Sequence, residues 1–491
     1  YVDRAAGGPD AVRALAGALA LVPLYGWAVR LYTPGQADEV TVRLTPDGRP
    51  ACVRRTLPED ARRPDPGEAA GRTAALAALA RLAPGLGGAG AWAPTSASYV
   101  TQPRSGRVDR TYRFARVGPG GAPVRVGAAP VRAEVVVTGD SAPNAVPNAP
   151  PNVLPNAPPA AAVLGVRVYA DVPEAWARAY AEARAANDQL AALVTPALLL
   201  YVVGALGALV YFGRRGLVRW RPAAVVGGIV GGLMIAAGLN ALPLAWIGYS
   251  TAERPGVFVA GQALGAVVGG ALAGLWVALT VAAAEALTRR AFPRHYDWYA
   301  YPRAAGAPPV AARLLGGYAL AALGFAYVTL FYLGTRSALG WWVPTESLDD
   351  PNALATPLPW VSALGTSLFA GTWEEALFRA VPLALVALWA RGRRGERWYV
   401  AAGVVVTALA FGFGHANYPS FPAYSRGVEL FAEAALWAVL YLRAGLPTTI
   451  VAHALYDLGW FGLFALHGRG PAYRASAAAV LLAAALPALV V

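Results

Sequence analysis

Gly371-Thr372-Trp373-Glu374-Glu375-Ala376-Leu377-Phe378-Arg379 sets two adjacent carboxylates and a guanidinium inside an apolar run that extends from Val361 to Ala390. A run of that length crosses a bilayer as a helix. Each charge near the bilayer centre costs roughly 2.5–3.5 kcal/mol, and ionisable groups held there mark function by default. The stretch therefore implies both a membrane-spanning helix and a polar site on it.

Further apolar runs lie at about 195–212, 222–246, 256–288, 310–333, 398–414, 428–443, 446–466 and 474–491, and Ala14–Val29 makes another, extendable through Leu31 and Tyr32. This first run competes with a signal-peptide core, but no clear small-residue cleavage site follows it, so an uncleaved anchor is expected. The expected fold class is an all-α multi-pass membrane protein of about ten transmembrane helices with an N-terminal extracytoplasmic α+β domain. Composition agrees: 57% of the 491 residues are hydrophobic and 14% charged, and the mean hydropathy is +0.44. The net charge of +13 comes entirely from arginine, because the chain has no lysine. The arginines flank apolar spans or fall in the N-terminal domain without forming a basic stripe interleaved with aromatics, so nucleic acid is not expected as a partner. A lysine-free chain rich in Ala, Gly, Pro and Arg suggests a GC-rich bacterial genome. The single cysteine, Cys52, excludes an internal disulfide and a cysteine metal cluster. A chain opening on Tyr1 is expected to lack its native N-terminus.

Arginine clusters at 214–221, 289–303 and 391–397, and Arg443, fall in every second loop. The positive-inside rule puts those loops in the cytoplasm and residues 33–190 outside the cell (inner) membrane. Within 33–190, Glu39–Leu44, Arg110–Phe114, Val131–Val137 and Val163–Tyr169 read as strands. Pro-Asn recurs every four residues from Pro143 to Asn156, predicting a turn-rich loop over 141–159. Asp171 and Pro173 start a helix over Ala175–Leu190. The domains expected are 1–32 as anchor, 33–190 as a binding or positioning module, 191–340 as an accessory helix bundle and 341–491 as a catalytic bundle. Glycines at four-residue spacing (Gly227 and Gly231, Gly228 and Gly232, then Gly261, Gly265 and Gly269) predict close helix packing.

On the central helix, Glu375 and Arg379 are i,i+4 and form an ion pair, leaving Glu374 turned about 100° away without that partner. A desolvated, unpaired carboxylate is suited to act as a general base. Phe411-Gly412-Phe413-Gly414-His415 ends a later span, and His453-Ala454-Leu455-Tyr456-Asp457 lies in another, with Asp457 placed to orient His453. His295 and His467 sit in loops and are left out. Counted from the cytoplasmic arginines, Glu374 and His415 lie roughly 25 Å deep, whereas His453 counted from Leu446 lies about half as deep. Re-entrance, helix tilt or shifted boundaries would each account for that.

The ordered set Glu374-Glu375-x-x-x-Arg379, Phe411-x-x-x-His415 and His453-x-x-x-Asp457 resembles the three motifs of the CPBP family of intramembrane proteases, relatives of the type II CAAX prenyl endopeptidase, over about residues 360–466. The resemblance implies that Glu374 activates water for attack on a peptide carbonyl, while His415 and His453 hold the water or stabilise the oxyanion. The last motif position is often asparagine in the family. An ionised Asp457 donates no hydrogen bond, so orienting His453 is its expected role. The family has been described both as metal-dependent and as metal-free. No cofactor is favoured, since no single helix presents two ligands, and zinc held by Glu374, His415 and His453 is the alternative. The substrate class implied is a membrane protein or peptide. The rival readings are a proton-coupled transporter using the same buried groups and a non-catalytic scaffold or immunity-type protein.

Overall fold

The structure is a computed structural model describing residues 1, 4, 26–82, 89–140, 161–295, 307–344, 351–468 and 470–489. The chain divides into two compact units, one of residues 1–179 with 247–258 and one of 180–246 with 259–491.

The first unit is built on an antiparallel sheet. Its strands are β1 (Trp27–Tyr32), β2 (Glu39–Leu44), β3 (Pro50–Thr56), β4 (Trp92–Thr101), β5 (Val108–Arg116), β6 (Arg125–Val126), β7 (Ala129–Gly139) and β8 (Ala161–Ala170), with helix α1 (Glu68–Leu82) between β3 and β4. The order is β1-β2-β3-β8-β7-β5-β4, with β6 on β7. Alternation along β7 buries Val131, Ala133, Val135 and Val137 against the Ala74, Ala75, Ala78 and Leu79 face of α1. Arg132 and Glu134 lie at the intervening, less buried positions. Segment 247–258 is tied to the first hairpin: Arg30 Nη1 donates to the Tyr249 carbonyl at 2.5 Å, and Gly35 N–H donates to Thr251 O at 2.7 Å.

One sequence reading changes here. The anchor read over Ala14–Val29 lies mostly outside the described residues, and its extension through Leu31 and Tyr32 is corrected: 27–32 is strand β1, paired residue for residue with β2. Short apolar runs of β-branched and aromatic residues fit a strand as readily as a helix end. The Pro-Asn loop at 141–159 also lies outside the described residues.

The second unit is helical. Its longer helices are α2 (Glu174–Ala192, beginning in the first unit), α3 (Thr195–Gly213), α4 (Trp220–Asn240), α5 (Pro255–Ala291, also beginning in the first unit), α6 (Pro308–Leu339), α7 (Pro359–Glu374), α8 (Val381–Ala390), α9 (Glu396–Gly414), α10 (Ser425–Ala444), α11 (Leu446–Phe461) and α12 (Pro471–Leu489). A π turn over Glu375–Ala380 joins α7 to α8. Among the described residues six helices are long and apolar enough to cross a membrane, with α2 and α3 counted together. The remaining helices of the C-terminal part, α7, α8, α10 and α11, are short or carry the charges of the candidate site.

The glycine stripes divide. A Cβ on Gly227 would lie 2.4 Å from the Gly274 carbonyl oxygen, and one on Gly231 would lie 3.0 Å from Gly274 Cα, so α4 and α5 touch backbone to backbone. Gly228, Gly232, Gly261, Gly265 and Gly269 meet nothing within 4 Å. The packing stripe on α5 is Gly270 and Gly274, offset by one residue, and so onto a neighbouring face, from the one read from sequence. Gly274→Leu is expected to destabilise the folded unit by about 1–3 kcal/mol, as overpacking does, while Gly265→Leu changes little. Thermal unfolding of the two variants in detergent checks this.

Candidate active site

Glu374 ends α7 and Glu375 opens the π turn, a local widening of the helix that recurs at functional sites. Every residue of the turn is buried, and Glu375 is 0% exposed. The expected ion pair is present: Arg379 Nη1 lies 3.2 Å from Glu375 Oε1. The same Oε1 lies 2.8 Å from His453 Nδ1. A carboxylate paired with a guanidinium accepts, so Nδ1–H donates and His453 turns Nε2 the other way. Arg379 also lies 3.7 Å from the centroid of the Phe411 ring, a cation–π contact.

His415 caps the C-terminal end of α9. Its Nδ1 donates to the Phe411 carbonyl at 2.8 Å, which leaves Nε2 free to face inward. Phe411, which had no role assigned from sequence, thus supports two site residues, one with its ring and one with its carbonyl. Both imidazoles converge on Glu374: Oε2 lies 3.8 Å from His415 Nε2 and 3.9 Å from His453 Nε2. These gaps exceed a direct hydrogen bond and are of the length that a bridging water spans.

Asp457 is brought to the same place without the expected contact. Its Oδ2 lies 3.6 Å from His453 Nε2, too far for a hydrogen bond. The carboxylate that fixes the His453 ring is Glu375, from another helix, because the i,i+4 pair on α11 presents Nε2 and not Nδ1. Leu446 to Ile450 are all buried, so α11 starts within the packed unit and not at its surface. Gly371 admits it: a Cβ there would lie 2.9 Å from Ala454 N.

Glu374, Arg379, His415, His453 and Asp457 line one cavity of about 310 Å³, and Glu375 stands behind its wall. Three charged residues of α10 went unread in the sequence. Arg426 and Glu433 line the cavity, and Glu429, 0% exposed, takes Arg426 Nη1 at 2.6 and 2.7 Å and the Tyr332 hydroxyl at 2.5 Å. The rule that singled out Glu374 applies equally to Glu429 and Glu433 within the run 428–443 and would have found them. His295 lies elsewhere, its Nε2 3.0 Å from Leu442 O.

Among the described residues, no three His, Cys, Asp or Glu side chains are grouped to hold a metal ion. No curated protein and no solved structure matches the chain. Residues 356–459, which hold all six residues predicted from sequence, match the model of the Rce1-like family, described as type II CAAX prenyl endopeptidase Rce1-like, consistent with the resemblance to the CPBP family.

Proposed function

We propose that this chain is an intramembrane endopeptidase that hydrolyses peptide bonds of membrane-associated proteins or peptides with water activated by Glu374. The observation that carries the reading is convergence: Glu374 Oε2 stands 3.8 and 3.9 Å from two imidazole Nε2 atoms on different helices, in one cavity. A transporter would string such groups along a path. In this mechanism Glu374 takes a proton from water as the oxygen attacks the scissile carbonyl carbon. His453, as imidazolium, keeps Nδ1–H on Glu375 and donates Nε2–H to the oxyanion. Glu374 then returns its proton to the departing amine. His415 orients the water from the opposite side. Asp457 adds negative charge beside His453. The steps are written without a metal, and zinc held by Glu374, His415 and His453 is the alternative that chelation separates.

Two measurements test this. Proteomics of membrane peptides from cells carrying wild type or Glu374→Gln is expected to show fragments present only with the former; identical peptide profiles would end the proposal. Chelation is expected to leave cleavage unchanged, and loss of cleavage restored by zinc would replace the glutamate mechanism with a metal-dependent one.

We further propose that the helices between 195 and 491 traverse or enter the inner membrane, about ten spans in all with the N-terminal anchor, and that the sheet unit is extracytoplasmic. The native thiol is a poor probe of this, because burial pushes Cys52 above the ordinary cysteine range. In a Cys52→Ser background, Ser98→Cys is expected to react with a membrane-impermeant maleimide in intact cells. Arg394→Cys is expected to react only after permeabilisation. The reverse pattern would invert the topology.

A further inference from the structure

Glu433 has no part in the hydrolysis proposed above, yet it lines the same cavity. It is 5% exposed, and neither carboxylate oxygen has a hydrogen-bond partner among the described residues. Its position is built: a Cβ on Gly324 would lie 2.7 Å from Glu433 Oε1, so the glycine on α6 leaves the carboxylate its seat.

Charge around the cavity is unbalanced in one direction. Arg379 and Arg426 line it, but each is held by a carboxylate outside the lining, Glu375 at 3.2 Å and Glu429 at 2.6 Å. With each arginine counted against the carboxylate that holds it, Glu374, Asp457 and Glu433 remain facing the cavity against the two histidines. A buried carboxylate without a partner carries a desolvation cost that an incoming cation offsets. The walls beside it suit a cation as well. Trp437, Tyr456 and Trp460 line the cavity, with successive ring centroids 5.8 and 6.2 Å apart, and aromatic faces attract guanidinium and ammonium groups.

We propose that Glu433 is the specificity-determining residue of a subsite that takes a basic side chain, arginine or lysine, of the substrate. This rests on the peptidase reading. The aromatic walls pack the aliphatic stem and Glu433 pairs with the charged head, so the substrate brings the partner that the fold withholds.

The test uses the detergent-purified full chain and two probes of equal stem length, n-pentylguanidinium and 1-pentanol. Titration is expected to show the cation bound at least tenfold more tightly than the alcohol by the wild type. Glu433→Gln should erase that difference, and Glu433→Asp, which keeps the charge, should retain part of it. Equal affinity in wild type and Glu433→Gln, or no preference for the cation in wild type, would overturn the proposal. A second arm offers peptides that differ only in arginine, lysine or norleucine at one scanned position. Hydrolysis without basic preference would leave the peptidase and remove the subsite. Cation preference dependent on Glu433, with no peptide hydrolysed, would leave the subsite and remove the peptidase.

Discussion

Replacement of Glu374 by glutamine is expected to yield a protein that folds, inserts and cleaves no substrate. Glutamine has nearly the same shape, so packing at the end of α7 is kept. Glu374 makes no direct hydrogen bond among the described residues, its nearest imidazole nitrogens being 3.8 and 3.9 Å away, so the fold loses no bond. What disappears is the proton acceptor. An amide oxygen cannot take a proton from water near neutral pH, and a general base supplies on the order of 10²–10⁴ in rate. With the leaving amine also deprived of its proton donor, the expected loss lies at or beyond the upper end of that range. The measurement is the initial rate on a membrane substrate, beside an unfolding midpoint that stays within a few degrees of wild type. Glu374→Asp is expected to keep a small residual rate, because the carboxylate survives one methylene further from the imidazoles. Full activity in the glutamine variant would move the base elsewhere, with Asp457 next in line.

Much of this arrangement is written in the sequence because its physics is local. Apolar runs between 195 and 491 become helices, since lipid-spanning backbone satisfies its hydrogen bonds within the helix. Charges inside those runs stand out by their cost, and that cost singles out Glu374, Glu375 and Arg379. What escapes is non-local or ambiguous. Residues 27–32 are apolar enough to pass for a span end, and only pairing with β2 makes them a strand. The π turn at 375–380 has no composition that distinguishes it from the α-helix on either side. Spacing offers His453 a partner on its own helix, whereas Glu375 reaches it across 78 residues of chain. Glu433 is legible as a charge inside an apolar run, but only the cavity reveals what it faces.

The Arg379–Glu375–His453 chain carries the second large effect. Glu375 is 0% exposed and the Arg379 side chain 2%, so removing one leaves the other buried without its countercharge. Breaking a buried pair from one side typically costs about 3–5 kcal/mol because an uncompensated charge stays behind. Arg379→Met and Glu375→Gln are each expected to lose about that much stability, seen as a large fall in the unfolding midpoint in detergent. The double variant Glu375→Gln/Arg379→Met removes both charges of the pair together and is expected to recover most of the loss, a coupling that a double-mutant cycle isolates. Activity separates from stability at this point. The side-chain amide oxygen that Glu375→Gln introduces still accepts from His453 Nδ1, so the ring keeps its direction, but the carboxylate that favours the imidazolium is gone. The folded double variant should therefore remain slower than wild type by on the order of 10–100-fold, the size found for carboxylates that orient a histidine. If the double variant regained full rate, Glu375 would be a counterion of Arg379 alone and His453 would take its direction from packing against Trp437, whose ring stands edge-on to it at 4.5 Å. If instead Arg379→Met cost nothing, the site would not need the Glu375–Arg379 pair to hold α7, α9 and α11 together.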